Sequence, residues 1–269
     1  MIHLLQLEWK KIVPNRAFKV TAGMYIILLP LLYLTIKSMF NRSAAGGEMA
    51  IIESFYVFPN IWDTVSYWAS CLTFFLLIYL VVWMITSEYL FKTMRQNLIT
   101  GMERRSFLLG KIGMMTVLSA LATIYMALVA FAFGWYAGGY GNPFGHEISA
   151  IWRFFVQNMF YMSFALMLAI VFKRSGLALL IFFAYLLIIE RIVRYLVFLN
   201  ILDNLYWGSF FPGSAAWDVV PFYMVKKMPS MGSEMGNIIL PYDLATGVTI
   251  VYTLVFLLIS YKVFMSRDL

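Results

Sequence analysis

Long runs of apolar residues, separated by short polar segments, dominate the pattern of this chain. Five runs are long enough to cross the hydrocarbon core of a bilayer, for which a helix needs about 17–25 residues, and one further run, residues 175–189, is shorter. The predicted spans cover residues about 18–38, 64–87, 107–133, 151–172, 176–198 and 244–263. The fifth span is complete only if its helix continues past Glu190 and Arg191 toward Leu199. The pattern therefore predicts an all-α integral membrane protein, with residues 1–269 in a single transmembrane domain.

The composition agrees with lipid as the solvent for much of the surface. Apolar residues make up 62% of the chain and charged residues 12%, against about 45–50% and about 25% in a soluble domain. Too few polar residues remain to cover a water-soluble core of that size. The composition thus excludes a soluble globular protein.

The basic residues are distributed unequally between the two sides that six spans define. Thirteen of the 20 Lys and Arg residues fall on the side of both termini, and seven fall on the other side. Because cytoplasmic loops carry the excess of Lys and Arg, we expect both termini in the cytoplasm and the protein in the plasma (inner) membrane. The net charge of +7 is then explained by the topology, with basic side chains that contact the headgroups of membrane lipid. We expect no nucleic-acid partner.

The first residues of the chain have an amphipathic pattern. Residues 2–13 are predicted to form an interfacial helix that lies on the membrane surface before the first span. Its apolar face consists of Ile2, Leu5, Trp9 and Ile12. Glu8 and Lys11 are expected on the opposite, polar face.

The connection between spans five and six, residues about 200–243, is much longer than the others. It combines apolar, aromatic patches with Pro212, Pro221, Pro229 and Pro241. We predict an external re-entrant segment of short helices, because non-helical backbone at membrane depth is tolerated only against protein or a wet cavity.

The segment between spans two and three has the most informative pattern in the chain. Its apolar Phe91, Met94 and Leu98 recur at helical spacing, with polar residues on the remaining face. We predict an amphipathic cytoplasmic helix over about 88–101, closed by Gly101 in a left-handed conformation. An ordinary juxtamembrane helix is the alternative that this pattern leaves open.

The same segment contains, in this order, Glu88, Leu90, Phe91, Leu98, Gly101, Arg104, Arg105, Ser106, Phe107, Gly110 and Lys111. This order resembles the coupling-helix region of ATP-binding-cassette type-2 exporter permeases and of the related G-subfamily half-transporters. The resemblance implies a helix that docks into a groove on a cytosolic ATPase, and a dimer with a second, identical or different, permease. The residues that it implies for ATPase coupling are Glu88, Phe91, Lys92, Met94, Arg95, Leu98, Gly101, Arg104 and Arg105.

The chain has no phosphate-binding loop of its own, because the sequence G-x-x-x-x-G-K-[ST] does not occur in it. The ATPase is therefore expected on a separate polypeptide that holds ATP and Mg²⁺, while this chain binds no cofactor. The resemblance then implies the permease subunit of a two-component exporter that works by alternating access. The alternative is a non-transporting scaffold or sensor subunit of a larger membrane complex.

The residues typical of enzymes are scarce in this sequence. The chain has two histidines, His3 and His146, and neither an H-E-x-x-H nor a G-x-S-x-G motif. We interpret His146 and Glu147 as a solvated loop pair, and we expect no catalytic residue and no metal site.

Charged residues near the outer end of the fifth span are costly in hydrocarbon, by ~2.5–3.5 kcal/mol each on insertion scales. Glu190 and Arg194 are four residues apart, with the acid first, a spacing that favours an ion pair on one helix face. We expect these two residues to form an external ion pair or, alternatively, an external gate.

Overall fold

The computed structural model of the chain describes residues 2–43, 55–99, 101–137, 142, 145–199, 206–221 and 240–266. Helices and turns make up these residues, and no strand occurs among them. Most of the predicted re-entrant segment, residues 200–205 and 222–239, lies outside the described residues.

The helices follow one another along the chain with short connections. We number them α1 (Ile2–Ile12), α2 (Arg16–Ser43), α3 (Ile61–Leu90), α4 (Thr93–Ile99), α5 (Arg104–Tyr136), α6 (Ser149–Phe172), α7 (175–199), α8 (Pro212–Val219) and α9 (Tyr242–Ser266). Single 3₁₀ turns precede α6 at His146–Ile148 and α8 at Trp207–Phe210.

Six helices among the described residues, α2, α3, α5, α6, α7 and α9, are long and apolar enough to cross a membrane. Each of them contains the span that the sequence predicts for it. The prediction of a six-span, all-helical membrane protein is thus confirmed, and the chain is a multi-pass membrane protein.

The fifth spanning helix, α7, continues through its charged residues, as the fifth predicted span requires. Two π-helical stretches interrupt its α-helical geometry, at Ala184–Ile189 and Arg194–Leu199. The wider π turns shift the following side chains around the helix axis. The carboxylate of Glu190, which follows the first stretch, enters the interior of the protein.

The bundle is built around α6, the most deeply buried of the six spanning helices. Sixteen of its 24 residues are buried, most of them apolar, and it packs against α3, α5 and α9, as expected of a helix surrounded by its neighbours. In the apolar stretches of the peripheral helices α2, α7 and α9 only 22% of the residues are buried, and the surfaces left outside the core are available to lipid.

The two ends of the bundle hold different elements. At one end, which we call the basic end, lie α1, α4, the link 173–174 and the last turn of α9. At the opposite end, α8 packs against α6 and α9. Both ends contain buried polar contacts, and the candidate site lies at the basic end.

Close packing near the opposite end of α5 gives a test of the fold. A Cβ atom added at Gly134 would lie 2.5 Å from Cζ of the Phe58 ring. We expect Gly134→Ala to lower the free energy of unfolding by about 1–3 kcal/mol, the usual cost of overpacking. The measurement is thermal unfolding in detergent, followed by tryptophan fluorescence.

The matched control is Gly247→Ala in α9, where an added Cβ meets no atom within 4 Å. This variant is expected to unfold at the wild-type temperature or above it, since alanine favours a helix over glycine by up to about 1 kcal/mol. Equal unfolding temperatures for Gly134→Ala and Gly247→Ala would contradict the packing described here.

Candidate functional site

The helix predicted over about 88–101 is two elements in the structure, so its predicted boundaries are wrong. α3 extends through Glu88 to Leu90, and α4 begins only at Thr93. Between them Lys92 has a φ of 55°, in the left-handed region. An α-helix of L-residues cannot continue through a left-handed residue, so the chain changes direction here.

α4 is anchored to the bundle on one side and exposed on the other. Met94 is 3% exposed and belongs to the core that includes Ile12 and Phe107, whereas Phe91 is 68% exposed and Ile99 84%. The expected apolar stripe is therefore wrong for Phe91, which does not share the buried face of Met94. Arg95 and Leu98 lie on α4, but their side chains lie outside the described part of the structure.

Gly101 and the two arginines after it connect α4 to the next spanning helix. Gly101 has a φ of 97°, as expected of a glycine that closes a helix. Arg104 donates a hydrogen bond from Nη1 to the carbonyl oxygen of Met265 (3.2 Å), and Arg105 donates from Nε to the hydroxyl of Tyr261 (2.7 Å). Both arginines thus join the start of α5 to the end of α9.

A buried ion cluster, formed by Glu8, Lys11, Glu88 and Lys111, lies next to α4. Lys111 is 1% exposed, and its Nζ lies 2.6 Å from Oε2 of Glu8 and 2.5 Å from Oε1 of Glu88. The half-exposed Lys11 completes the cluster, with its Nζ 3.5 Å from Glu8 and 3.4 Å from Glu88. Two positive and two negative charges therefore balance within one site.

The buried ion cluster joins four helices. Glu8 belongs to α1, Glu88 to the last turn of α3 and Lys111 to the second turn of α5, while Thr93, the first residue of α4, donates to Oε2 of Glu88 at 3.4 Å. A buried charge that loses its partner costs several kcal/mol. The cluster thus holds α1, α3 and α5 together at the point where α4 leaves the bundle.

Sequence reasoning missed this cluster because it assigned Glu8 to the polar face of α1. The side chain of Glu8 is buried, and Trp9, expected on the apolar face, is partly exposed. The available signal was the position of Lys111, which lies six residues beyond Arg105 and inside the apolar run of α5. A cation at that depth requires a partner.

At the opposite end, Glu190 and Arg194 both contact the segment that contains α8. The carboxylate of Glu190 accepts hydrogen bonds from the backbone N–H groups of Gly213 (2.8 Å) and Ser214 (2.5 Å). Arg194 donates from Nη2 to Oγ of Ser209 at 2.8 Å. Acidic groups stabilise helix N-termini, where N–H groups lack partners within the helix. The two residues expected as an ion pair or gate therefore fix the 209–214 segment to α7.

The other end of α8 is fixed by further buried polar groups. Arg153 lies 2.6 Å from Oδ1 of Asp63 and donates to the carbonyl oxygen of Val219 (3.0 Å). Asp218 accepts from the N–H of Leu240 at 3.1 Å. Burial raises the pKa of Asp218 to about 6. The hydrogen bond from the N–H of Leu240 and the charges of Arg194 and Arg191 lower this pKa, but by less than burial raises it.

Neither end supplies the ligands of a metal centre in the part of the chain that the structure describes. No group of three or more His, Cys, Asp or Glu side chains in those ranges is placed to hold an ion.

Comparison with known protein families gives a match over most of the chain. The model of a family with the description "Protein of unknown function (DUF2705)" matches residues 36–269. The matched range includes Glu88 and Lys111 and begins after Glu8. No curated protein matches the chain.

The buried ion cluster predicts a large loss of stability when its central cation is removed. Lys111→Met leaves Glu8 and Glu88 buried with only the half-exposed Lys11, so we expect the free energy of unfolding to fall by about 3–5 kcal/mol. The triple change Glu8→Gln, Glu88→Gln and Lys111→Met removes all three buried charges and should recover most of that loss. Denaturation in detergent, followed by tryptophan fluorescence, measures both.

The matched control is Lys19→Met, which removes an exposed cation from the same end and should change stability by less than about 0.5 kcal/mol. If the triple variant is as unstable as Lys111→Met, uncompensated charge is not the cause of the loss.

The raised pKa of Asp218 predicts a pH dependence of stability. The folded state favours the protonated carboxyl, so its stabilising contribution is complete below the ordinary pKa of 3.8 and is lost as the pH rises through about 6. Between pH 4 and pH 7, wild type should therefore lose up to about 3 kcal/mol relative to Asp218→Asn, which does not ionise. Thermal unfolding of both proteins across this pH range is the measurement.

Asp243→Asn removes an exposed carboxylate at the start of α9 and serves as the control for loss of one negative charge. A constant difference between wild type and Asp218→Asn from pH 4 to pH 7 would show that Asp218 does not titrate in this range.

Proposed function

The chain belongs to the DUF2705 family, and we propose that it is the permease subunit of a two-component ATP-driven exporter. A separate cytosolic ATPase of the ATP-binding-cassette class holds ATP and Mg²⁺ in this proposal. Two permease subunits, identical or different, form the path across the membrane. The basic end faces the cytoplasm of the plasma (inner) membrane, in line with the excess of Lys and Arg on that side.

The observation that carries the proposal is the placement of α4. A helix that transmits force from a partner needs one side fixed to the bundle and another side free. Met94 supplies the fixed side, and the exposed Phe91 and Ile99 supply apolar surface for a partner groove. Aromatic side chains often provide a large share of binding energy at such interfaces.

The buried ion cluster supports the same proposal from the bundle side. Because Thr93 contacts Glu88, a displacement of α4 acts on the cluster and hence on α1, α3 and α5 together. Alternating access needs rigid movement of packed helices of this kind. The permease performs no covalent chemistry, since ATP binding only has to favour one arrangement of the helices over the other.

The test is purification of the tagged chain from its native membranes, followed by reconstitution in nanodiscs. We expect a nucleotide-binding protein in stoichiometric amount by mass spectrometry, and ATP hydrolysis by the complex but not by the isolated chain. Phe91→Glu introduces a charge into the exposed side of the α4 region and should reduce bound ATPase at least tenfold, a loss typical of one important contact residue.

The matched control is Tyr136→Glu, which places the same charge on an exposed aromatic residue at the opposite end and should leave ATPase binding unchanged. Wild-type preparations without a bound nucleotide-binding protein would contradict the proposal and favour the scaffold or sensor alternative. Equal ATPase binding by wild type and Phe91→Glu would show that α4 is not the docking helix.

A further inference from the structure

A cleft of about 640 Å³ opens at the basic end, beside α4. The ends of two spanning helices form its walls, with the last turn of α3 on one side and the end of α6 on the other. Three exposed cations line it, Lys92, Lys173 and Arg174. The remaining lining residues are Glu88, Tyr89, Leu90, Met94 and Phe172.

The one carboxylate in this lining already has cationic partners. Oε1 of Glu88 contacts Lys111 and Lys11, and its Oε2 accepts from Thr93. Within the described ranges, neither Lys92, Lys173 nor Arg174 is in an ion pair. The cleft therefore carries an excess of positive charge that suits an anionic ligand.

The apolar part of the lining narrows the class of anion. Leu90 and Phe172 are the last residues of α3 and α6, so the cleft lies where spanning helices leave the hydrocarbon. Nζ of Lys173 lies 5.4 Å from the centre of the Tyr89 ring, and aromatic residues of this kind are typical of the membrane interface. Cations beside apolar side chains at this level match a phospholipid, with its charged phosphate and its acyl chains.

We propose that this cleft binds the phosphate group of an anionic phospholipid. Basic pockets between spanning helices on the cytoplasmic side are known to bind lipid headgroups. Lys92 stands immediately before α4, and Lys173 and Arg174 form the link between α6 and α7. One bound headgroup therefore bridges α4 to α7 and holds α4 against the bundle, whether or not an ATPase docks there.

An acidic segment of a partner protein is the other anion of the right charge. The lipid fits better, because the lining combines its three cations with the apolar ends of membrane-spanning helices rather than with polar groups. Free phosphate carries the charge of the headgroup, but it has no apolar part that could contact the apolar residues of the cleft. Both ligands are distinguished from the lipid by the experiment below.

The experiment is a titration of the purified full-length chain in detergent with phosphatidylglycerol, with bound lipid counted by native mass spectrometry. The triple variant Lys92→Gln, Lys173→Gln and Arg174→Gln should bind the tightest lipid at least tenfold more weakly than wild type, because all three attractive charges are lost. The charge-conserving triple variant Lys92→Arg, Lys173→Arg and Arg174→Lys should retain binding.

The matched control removes the same charges elsewhere at the basic end, with Arg16→Gln, Lys19→Gln and Lys262→Gln, all at exposed positions. It should bind lipid like wild type. Equal weakening in this control, or unchanged binding by the cleft variant, would overturn the proposal. If the cleft variant does not fold, the three single variants are titrated instead, and each should bind more weakly than wild type.

Two competitors separate the lipid from the other anions. Inorganic phosphate and polyglutamate are each added to the lipid-loaded chain, and neither should displace phosphatidylglycerol at equal concentration. Displacement by inorganic phosphate would identify the cleft as a site for free phosphate, and displacement by polyglutamate as a site for an acidic protein segment. Either result would overturn the assignment to lipid.

Discussion

Lys111 places a positive charge inside the bundle, and the arrangement of the basic end follows from the need to neutralise it. A cation buried without a partner costs more than a marginally stable protein can tolerate. Glu8 and Glu88 approach it to 2.6 and 2.5 Å, which requires α1 to dock on α5 and α3 to end beside it. The position of α4, which starts five residues after Glu88, is thereby set as well.

At the opposite end of the bundle, buried charged and polar groups also need partners, and there they surround the short helix α8. The short helix α8 has buried polar groups at both of its ends. Glu190 of α7 and Arg153 of α6 bind its first and last turns, and its own Asp218 accepts from the N–H of Leu240, just before α9. An eight-residue helix is marginal by itself. These contacts therefore fix the position of α8. Buried ion pairs and hydrogen bonds stabilise both ends of the bundle, and apolar packing stabilises the part between them.

The spans could be predicted from the sequence because their signal, a long apolar run, is local to each helix. The burial of Glu8 and the binding of Glu190 to α8 could not, since each depends on a residue distant in sequence. Gly101 was predictable because closing a helix is a local requirement, and its φ of 97° agrees. The coupling role of α4 rests on resemblance and stays a prediction.

The hydrogen bonds from Arg104 and Arg105 to Met265 and Tyr261 connect the end of α9 to the start of α5, next to α4. Any displacement that α4 passes to the start of α5 also reaches Tyr261 and Met265. A fluorophore attached at this point would therefore report rearrangement of the basic end without touching α4. Conversely, a bulky group attached at this point would disturb the same contacts and with them the packing of the basic end.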